Sequence, residues 1–156
     1  MRSILKPVRL AGRTDYALRA ALEIAAAEGS PLTTEAIAER QGIPAGYLSA
    51  ILAELRRADL VRARRGPVGG WTLARPAAEI RLGDVIRAVD GALAQVAGTR
   101  PENLEYAGAA IGLQDVWVAL RAAERGILDS VSLADVVTKS LPVSVRRLAD
   151  NPDAWH

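Results

Sequence analysis

Apolar positions change period several times along this chain, and each change predicts an element. Thr33-Thr34-Glu35 places capping hydroxyls and an early carboxylate ahead of a short helical pattern running through Ile37 and Ala38, which Gly42 then ends. Pro44 stands where a helix begins, and Leu48, Ile51, Leu52 and Leu55 follow at spacings that put all four on one face. The period then drops to two. Leu60 to Arg64 and Trp71 to Leu73 alternate as strands do, and Gly66-Pro67 with Gly69-Gly70 supply turn dihedrals between them. Further on, Leu82 to Val89 predicts a short helix closed by Asp90-Gly91. Leu113, Val116, Trp117, Leu120, Ala123, Ile127 and Val131 form a long apolar stripe at helical, near-heptad spacing. Ser132 with Asp135 predicts a last helix start, running to about Lys139, and the chain from Pro142 onward is expected to be a tail.

Helix, tight turn, helix and hairpin in that order is the layout of a winged helix-turn-helix. Composition agrees with a helical protein: half of the 156 residues are hydrophobic, phenylalanine is absent and alanine abundant. The expected fold class is mostly α, a winged helix-turn-helix with a two-stranded β wing plus a long C-terminal dimerisation helix. The expected organisation is a flexible N-terminal extension over 1–8, a DNA-binding domain over 9–92, a linker or effector loop over 93–110, dimerisation helices over 111–141 and a flexible tail over 142–156. No apolar run approaches the roughly 18 residues needed to cross a bilayer, and the start lacks a signal-peptide core, so a cytoplasmic protein is expected.

Charge is distributed unevenly. The net charge of +2 divides into +5 over residues 1–75 and −3 over the remainder, which makes the N-terminal half the candidate polyanion binder. Arg62, Arg64 and Arg65 cluster at the hairpin, where guanidinium groups suit phosphates or a narrow groove. The chain has no cysteine, and its one histidine is the last residue, His156. Together with the absence of a phosphate-cradling Gly-x-x-x-x-Gly-Lys and of a Gly-x-Ser-x-Gly elbow, this inventory argues against an enzyme. It also leaves neither a metal site nor a cofactor to expect. Glu102 and Glu105 read as solvated carboxylates on a proline-bounded loop rather than an acid-base pair.

The segments Tyr16-Ala17-Leu18-Arg19-Ala20, Ile37-Ala38-Glu39-Arg40, Tyr47-Leu48, Leu52-Ala53-Glu54-Leu55-Arg56, Leu60-Val61 and Arg65-Gly66-Pro67-Val68-Gly69-Gly70-Trp71 resemble, in order, the Rrf2 (IscR/NsrR-type) family of bacterial transcription regulators. The resemblance is close over residues 9–93 and looser beyond, and the Arg-Gly-Pro-x-Gly-Gly-aromatic segment is its most specific part. It implies a homodimeric repressor or activator that binds double-stranded operator DNA at a palindromic site. Many members carry three cysteines ahead of the long helix, holding an iron–sulfur cluster. The matching stretch here, Gly98 to Ala110, offers carboxylates but neither thiolate nor imidazole. Such clusters need soft sulfur ligands, so this sensing chemistry is excluded.

With the four apolar residues of the second helix turned inward, Ala45, Gly46, Ser49 and Ala53 face the other way. Short side chains there predict limited base readout, with Ser49 as its main polar contributor. Specificity then leans on water, DNA shape and Arg65, to which the resemblance assigns a minor-groove position, with Arg64 and Gly66 beside it. Tyr47, Thr33 and Thr34 are candidate phosphate donors. Arg56, with Arg57, is a candidate backbone contact at a helix end, as is Arg13, with Arg19, around the first helix. Trp71 is expected to pack with Leu73 against the helices.

The long stripe from Leu113 is the dimerisation candidate, because a symmetric partner covers it and sets two reading heads about one helical turn apart. A candidate pocket for an unknown small-molecule effector, lined by Tyr106, Ala110, Trp117 and Leu120, is placed there by position alone. Two other readings stay open: a winged-helix module that binds an acidic protein partner, and a small-molecule-responsive regulator. Initiation at Val8, with Met1 to Pro7 as a disordered extension, is a further expectation.

Overall fold

A computed structural model describes residues 12–91, 95 and 98–155. The extension expected over 1–8 and His156 lie outside the described residues. Helix α1 (Gly12–Ala26) is followed by α2 (Thr34–Gln41), α3 (Ala45–Arg57), strands β1 (Val61–Arg64) and β2 (Gly70–Leu73), and α4 (Leu82–Asp90). After a stretch of short turns come α5 (Leu113–Leu128), α6 (Leu133–Val137) and α7 (Val143–Ala149). This is the mostly helical winged layout expected from the sequence.

Alanine explains the hub of the core. Ala17, Ala20 and Ala21 of α1 are buried together with Ile24, and such short side chains let α2, α3, α4 and α6 all approach one helix. Ile37, Leu48, Ile51, Leu52, Leu55, Ile80 and Val85 fill the space around it. The predicted caps are in place. The Ala36 N–H donates to Thr33 Oγ1 at 3.1 Å, and Gly42 takes the left-handed conformation (φ 62°) that ends α2.

The wing is an antiparallel pair in the register Val61 to Leu73, Arg62 to Thr72, Ala63 to Trp71 and Arg64 to Gly70. Trp71 also exchanges backbone hydrogen bonds with Leu32, at 3.1 and 2.7 Å, which pins the base of the hairpin to the start of α2. The Leu32 backbone comes so close that a Cβ at Gly70 would lie 2.6 Å from its carbonyl. Gly70 also has φ 150°, so only glycine closes this junction. Trp71 and Leu73 are half-buried against the core, as their shared strand face predicts.

The C-terminal third departs from expectation in three places. Val131 is not on the long helix, which stops at Leu128, where Ser130 Oγ donates to the Ile127 carbonyl at 2.7 Å. Val131 instead enters the core with 2% exposure. Helix α6 turns Leu133 into the core and leaves Val137 37% exposed. The Leu133 N–H donates to the Ile80 carbonyl at 2.9 Å and the Leu82 N–H to the Val131 carbonyl at 2.9 Å, clamping α6 beside α1 with Leu133 fully buried. The segment 111–141 thus holds α5, with no buried residue, and α6, whose Leu133 is in the core. The third departure is the expected tail from 142, which holds α7. Pro142, with φ −52°, opens that helix, and the Trp155 Nε1–H folds back onto the Ala149 carbonyl at 3.0 Å.

Candidate nucleic-acid interface

The buried stripe of α3 fixes what its other face presents. With Leu48, Ile51, Leu52 and Leu55 in the core, Ala45, Gly46, Tyr47, Ser49 and Ala50 are exposed. Tyr47 is 69% exposed, so its phenol projects into solvent with its hydroxyl available to a phosphate. Ser49 is exposed, but its Oγ donates to the Ala45 carbonyl at 3.1 Å one turn back. What remains to Ser49 is acceptor capacity, which narrows its part in reading a base edge.

The threonines divide their work. Thr33 is exposed, and its hydroxyl is engaged in capping α2. Thr34 Oγ1 accepts the indole N–H of Trp71 at 3.1 Å. That bond joins the first turn of α2 to the wing, so helix and hairpin are held as one surface. Sequence spacing gave no signal for it, because the partners are 37 residues apart.

Arg62, Arg64 and Arg65 are all exposed, and none pairs with a carboxylate among the described residues. Gly66 turns the chain with φ 115°, and the Gly69 N–H closes the turn on the Gly66 carbonyl at 3.0 Å. A short, closed hairpin thus carries unpaired cations at its tip. Arg56 is exposed at the end of α3, while Arg57 lies 3.9 Å from Glu54.

Arginines of α1 are placed differently. Arg13 pairs with Glu54 of α3 and donates to the Val89 carbonyl of α4 at 3.4 Å, cross-linking three helices. Arg19 lies 3.0 Å from Asp15, donates to the Gln41 carbonyl at 2.9 Å and sits 5.0 Å over the Tyr16 ring. Their charges are engaged within the protein, which separates them from the wing cluster.

The clefts described among these residues do not bring the four expected effector residues together. The Trp117 Nε1–H donates to the Tyr106 hydroxyl at 2.9 Å, so these two rings satisfy each other. A cleft of about 600 Å³ lies beside them, lined by Glu102, Asn103, Leu104, Glu105, Tyr106, Ile111 and Gln114. Of the four expected residues only Tyr106 borders it. Ala110 is half-buried in a short turn, and Leu120 is 37% exposed on α5. Arg121 of α5 bonds Glu102, holding that carboxyl below its ordinary range, and Gln114 Nε2 donates to the Glu102 carbonyl at 3.2 Å.

Among the described residues no three His, Cys, Asp or Glu gather where a metal ion would sit, and no helix is long and apolar enough to cross a membrane.

The family model for Rrf2, described as an iron-dependent transcriptional regulator, matches residues 10–139. A candidate HTH-type transcriptional regulator of Mycobacterium tuberculosis is 44% identical over 145 residues, covering 92% of this chain and 90% of that protein. The IscR regulator of Serratia proteamaculans is 35% identical over 133 residues, 83% of this chain and 79% of its own length. Among solved structures, CymR, the global cysteine regulator of B. subtilis, superposes with a TM-score of 0.72 at 30% identity, covering 84% of this chain and 97% of that one. T. potens IscR gives 0.69 at 31% identity, covering 85% and 88%. The family description names iron, yet this chain has no thiolate, and the Glu102 carboxyl in the matching loop is taken by Arg121, so its residues do not fit an iron–sulfur cluster. With an exposed α3 face beside an arginine-bearing wing that is bonded to α2, and with sequence and fold both matching regulators rather than enzymes, the chain belongs to the Rrf2 family of DNA-binding transcriptional regulators.

Proposed function

We propose that this protein is a homodimeric, sequence-specific repressor that binds a palindromic operator without a cysteine-ligated cluster. The observation that carries the reading is the exposed α3 face packed beside the unpaired arginines of a wing that Trp71 and Thr34 fasten to α2, the helix preceding α3. In this reading α3 enters the major groove. Arg65, with Arg64 and Gly66, lies along the adjacent minor groove, and Tyr47, Thr33 and Arg56 meet the phosphates.

Support for the dimer comes from α5. None of its 16 residues is buried, and Leu113, Val116 and Leu120 are 41%, 55% and 37% exposed. An apolar face of that length needs a cover, and a second copy supplies it while setting two heads on successive turns of DNA. A dimer spanning both half-sites occludes a promoter, which is the basis of the repressor assignment.

Affinity selection of fragmented host genomic DNA at moderate salt, followed by sequencing, tests the proposal. A shared inverted repeat is the expected result, and transcription from a promoter containing it falls when the protein is added. Uniform, salt-labile recovery without a shared sequence refutes the operator-binding reading.

A further inference from the structure

The tip of the wing is apolar where its flanks are cationic. Pro67 and Val68 occupy the two corners of the turn that Gly66 and Gly69 close at 3.0 Å. Val68 is 82% exposed, the most exposed large apolar side chain among the described residues. Solvated hairpin corners ordinarily carry glycine, asparagine or aspartate, which bond water or their own backbone, whereas valine does neither. Its stiffness is also relevant. A β-branched side chain on a ring-locked Pro67, in a turn closed by its own hydrogen bond, is a rigid apolar point that loses little freedom when it enters a groove.

The geometry points to Val68 as a specificity determinant that reads the minor groove by exclusion. Arg64 and Arg65 draw the tip to a groove lined by phosphates, and the apolar corner then meets the groove floor. A·T and T·A pairs present only acceptors there, while a G·C pair adds the 2-amino group of guanine. That amino group occupies the space a valine methyl needs and loses its water to a side chain that cannot accept from it. Val68 therefore selects A·T pairs at the step facing the wing, without making a hydrogen bond. Apolar side chains at protein tips are used at minor-groove steps in this way, where they also favour easily unstacked sequences. The inference deepens the operator-binding reading and rests on it.

The test uses the full-length protein and an operator recovered from the genomic selection, with binding read by fluorescence anisotropy. Adenines are replaced one at a time by 2,6-diaminopurine, which adds the minor-groove amino group and leaves the major-groove edge unchanged. The expected result is a loss of about tenfold in affinity at the wing-facing pairs for the parent. Val68→Ala loses affinity for the unmodified operator and binds modified and unmodified sites within about twofold of each other. Replacing guanine by inosine at a neighbouring wing-facing pair strengthens the parent and not the variant. Because Val68 is exposed, Val68→Ala keeps the parent's melting temperature. If the parent binds its operator and Val68→Ala shows the same diaminopurine profile as the parent, the assignment of Val68 is overturned while operator binding stands. If no operator is recovered at all, both fall.

Discussion

Leu133→Ala separates a core role for α6 from a dimer role. Leu133 is fully buried, belongs to the same apolar cluster as Ile80 and Val85, and is anchored by its N–H to the Ile80 carbonyl at 2.9 Å. Truncation removes three carbons from a site that cannot collapse freely, because backbone bonds between residues 131–133 and 80–82 fix the start of α6 in place. Transfer alone costs about 2 kcal/mol at ~0.8 kcal/mol per buried methylene, and the residual cavity brings the loss to about 3 kcal/mol. For a chain of this length that corresponds to a fall of roughly 6–12 °C in melting temperature. Urea unfolding followed by circular dichroism measures it, with an unchanged slope m confirming that the folded state has not expanded. Sedimentation equilibrium under native conditions supplies the second readout. The dissociation constant of Leu133→Ala should match the parent's, whereas Val116→Glu on α5 should weaken association with little change in unfolding of the monomer. A Leu133→Ala protein that unfolds like the parent yet dissociates more readily would refute the placement of α6 in the core.

Arg65→Ala should weaken operator binding by about tenfold and lower the slope of log affinity against log salt by about one, read by anisotropy between roughly 50 and 200 mM salt. Gly70→Ala should cost about 1–3 kcal/mol or more, since the new Cβ meets the Leu32 backbone at 2.6 Å with φ 150°, and hydrogen exchange at Leu32 and Trp71 should rise as the wing base opens. The Arg87 guanidinium, 2.7 Å from Asp129, holds that carboxyl below its ordinary value of 3.8, so this pair contributes stability above about pH 4 and loses it as pH falls through the lower folded-state value. An Asp129→Asn variant should accordingly be less stable than the parent at pH 7 and converge with it toward pH 2, as measured by urea titrations at stepped pH. Trp71→Phe should lower stability by about 1 kcal/mol through loss of the bond to Thr34, and should weaken operator binding because helix and wing are then less well fixed to each other.

How much was legible in the sequence depended on the range of the forces involved. Period and local chemistry determined α2, α3, the wing and α4, because capping by Thr33, the left-handed close at Gly42 and the alternation into Trp71 are settled within a few residues of chain. The absence of cysteine alone removed the cluster chemistry. The exposed arginines of the wing were legible for the same local reason: a glycine-proline turn cannot bury them. What the tertiary structure decided was which surface each pattern faced. The apolar stripe that appeared continuous from Leu113 to Val131 divides at Asp129, with α5 outside and Val131 and Leu133 inside, because the backbone clamp between residues 80–82 and 131–133 joins segments some 50 positions apart. Arg13 and Arg19 looked like the wing arginines in sequence, yet their partners Glu54, Val89 and Gln41 come from other helices. Periodicity reports that a face is apolar, and charge that a side chain is cationic. Only the packing of distant segments determines what that face or that charge meets.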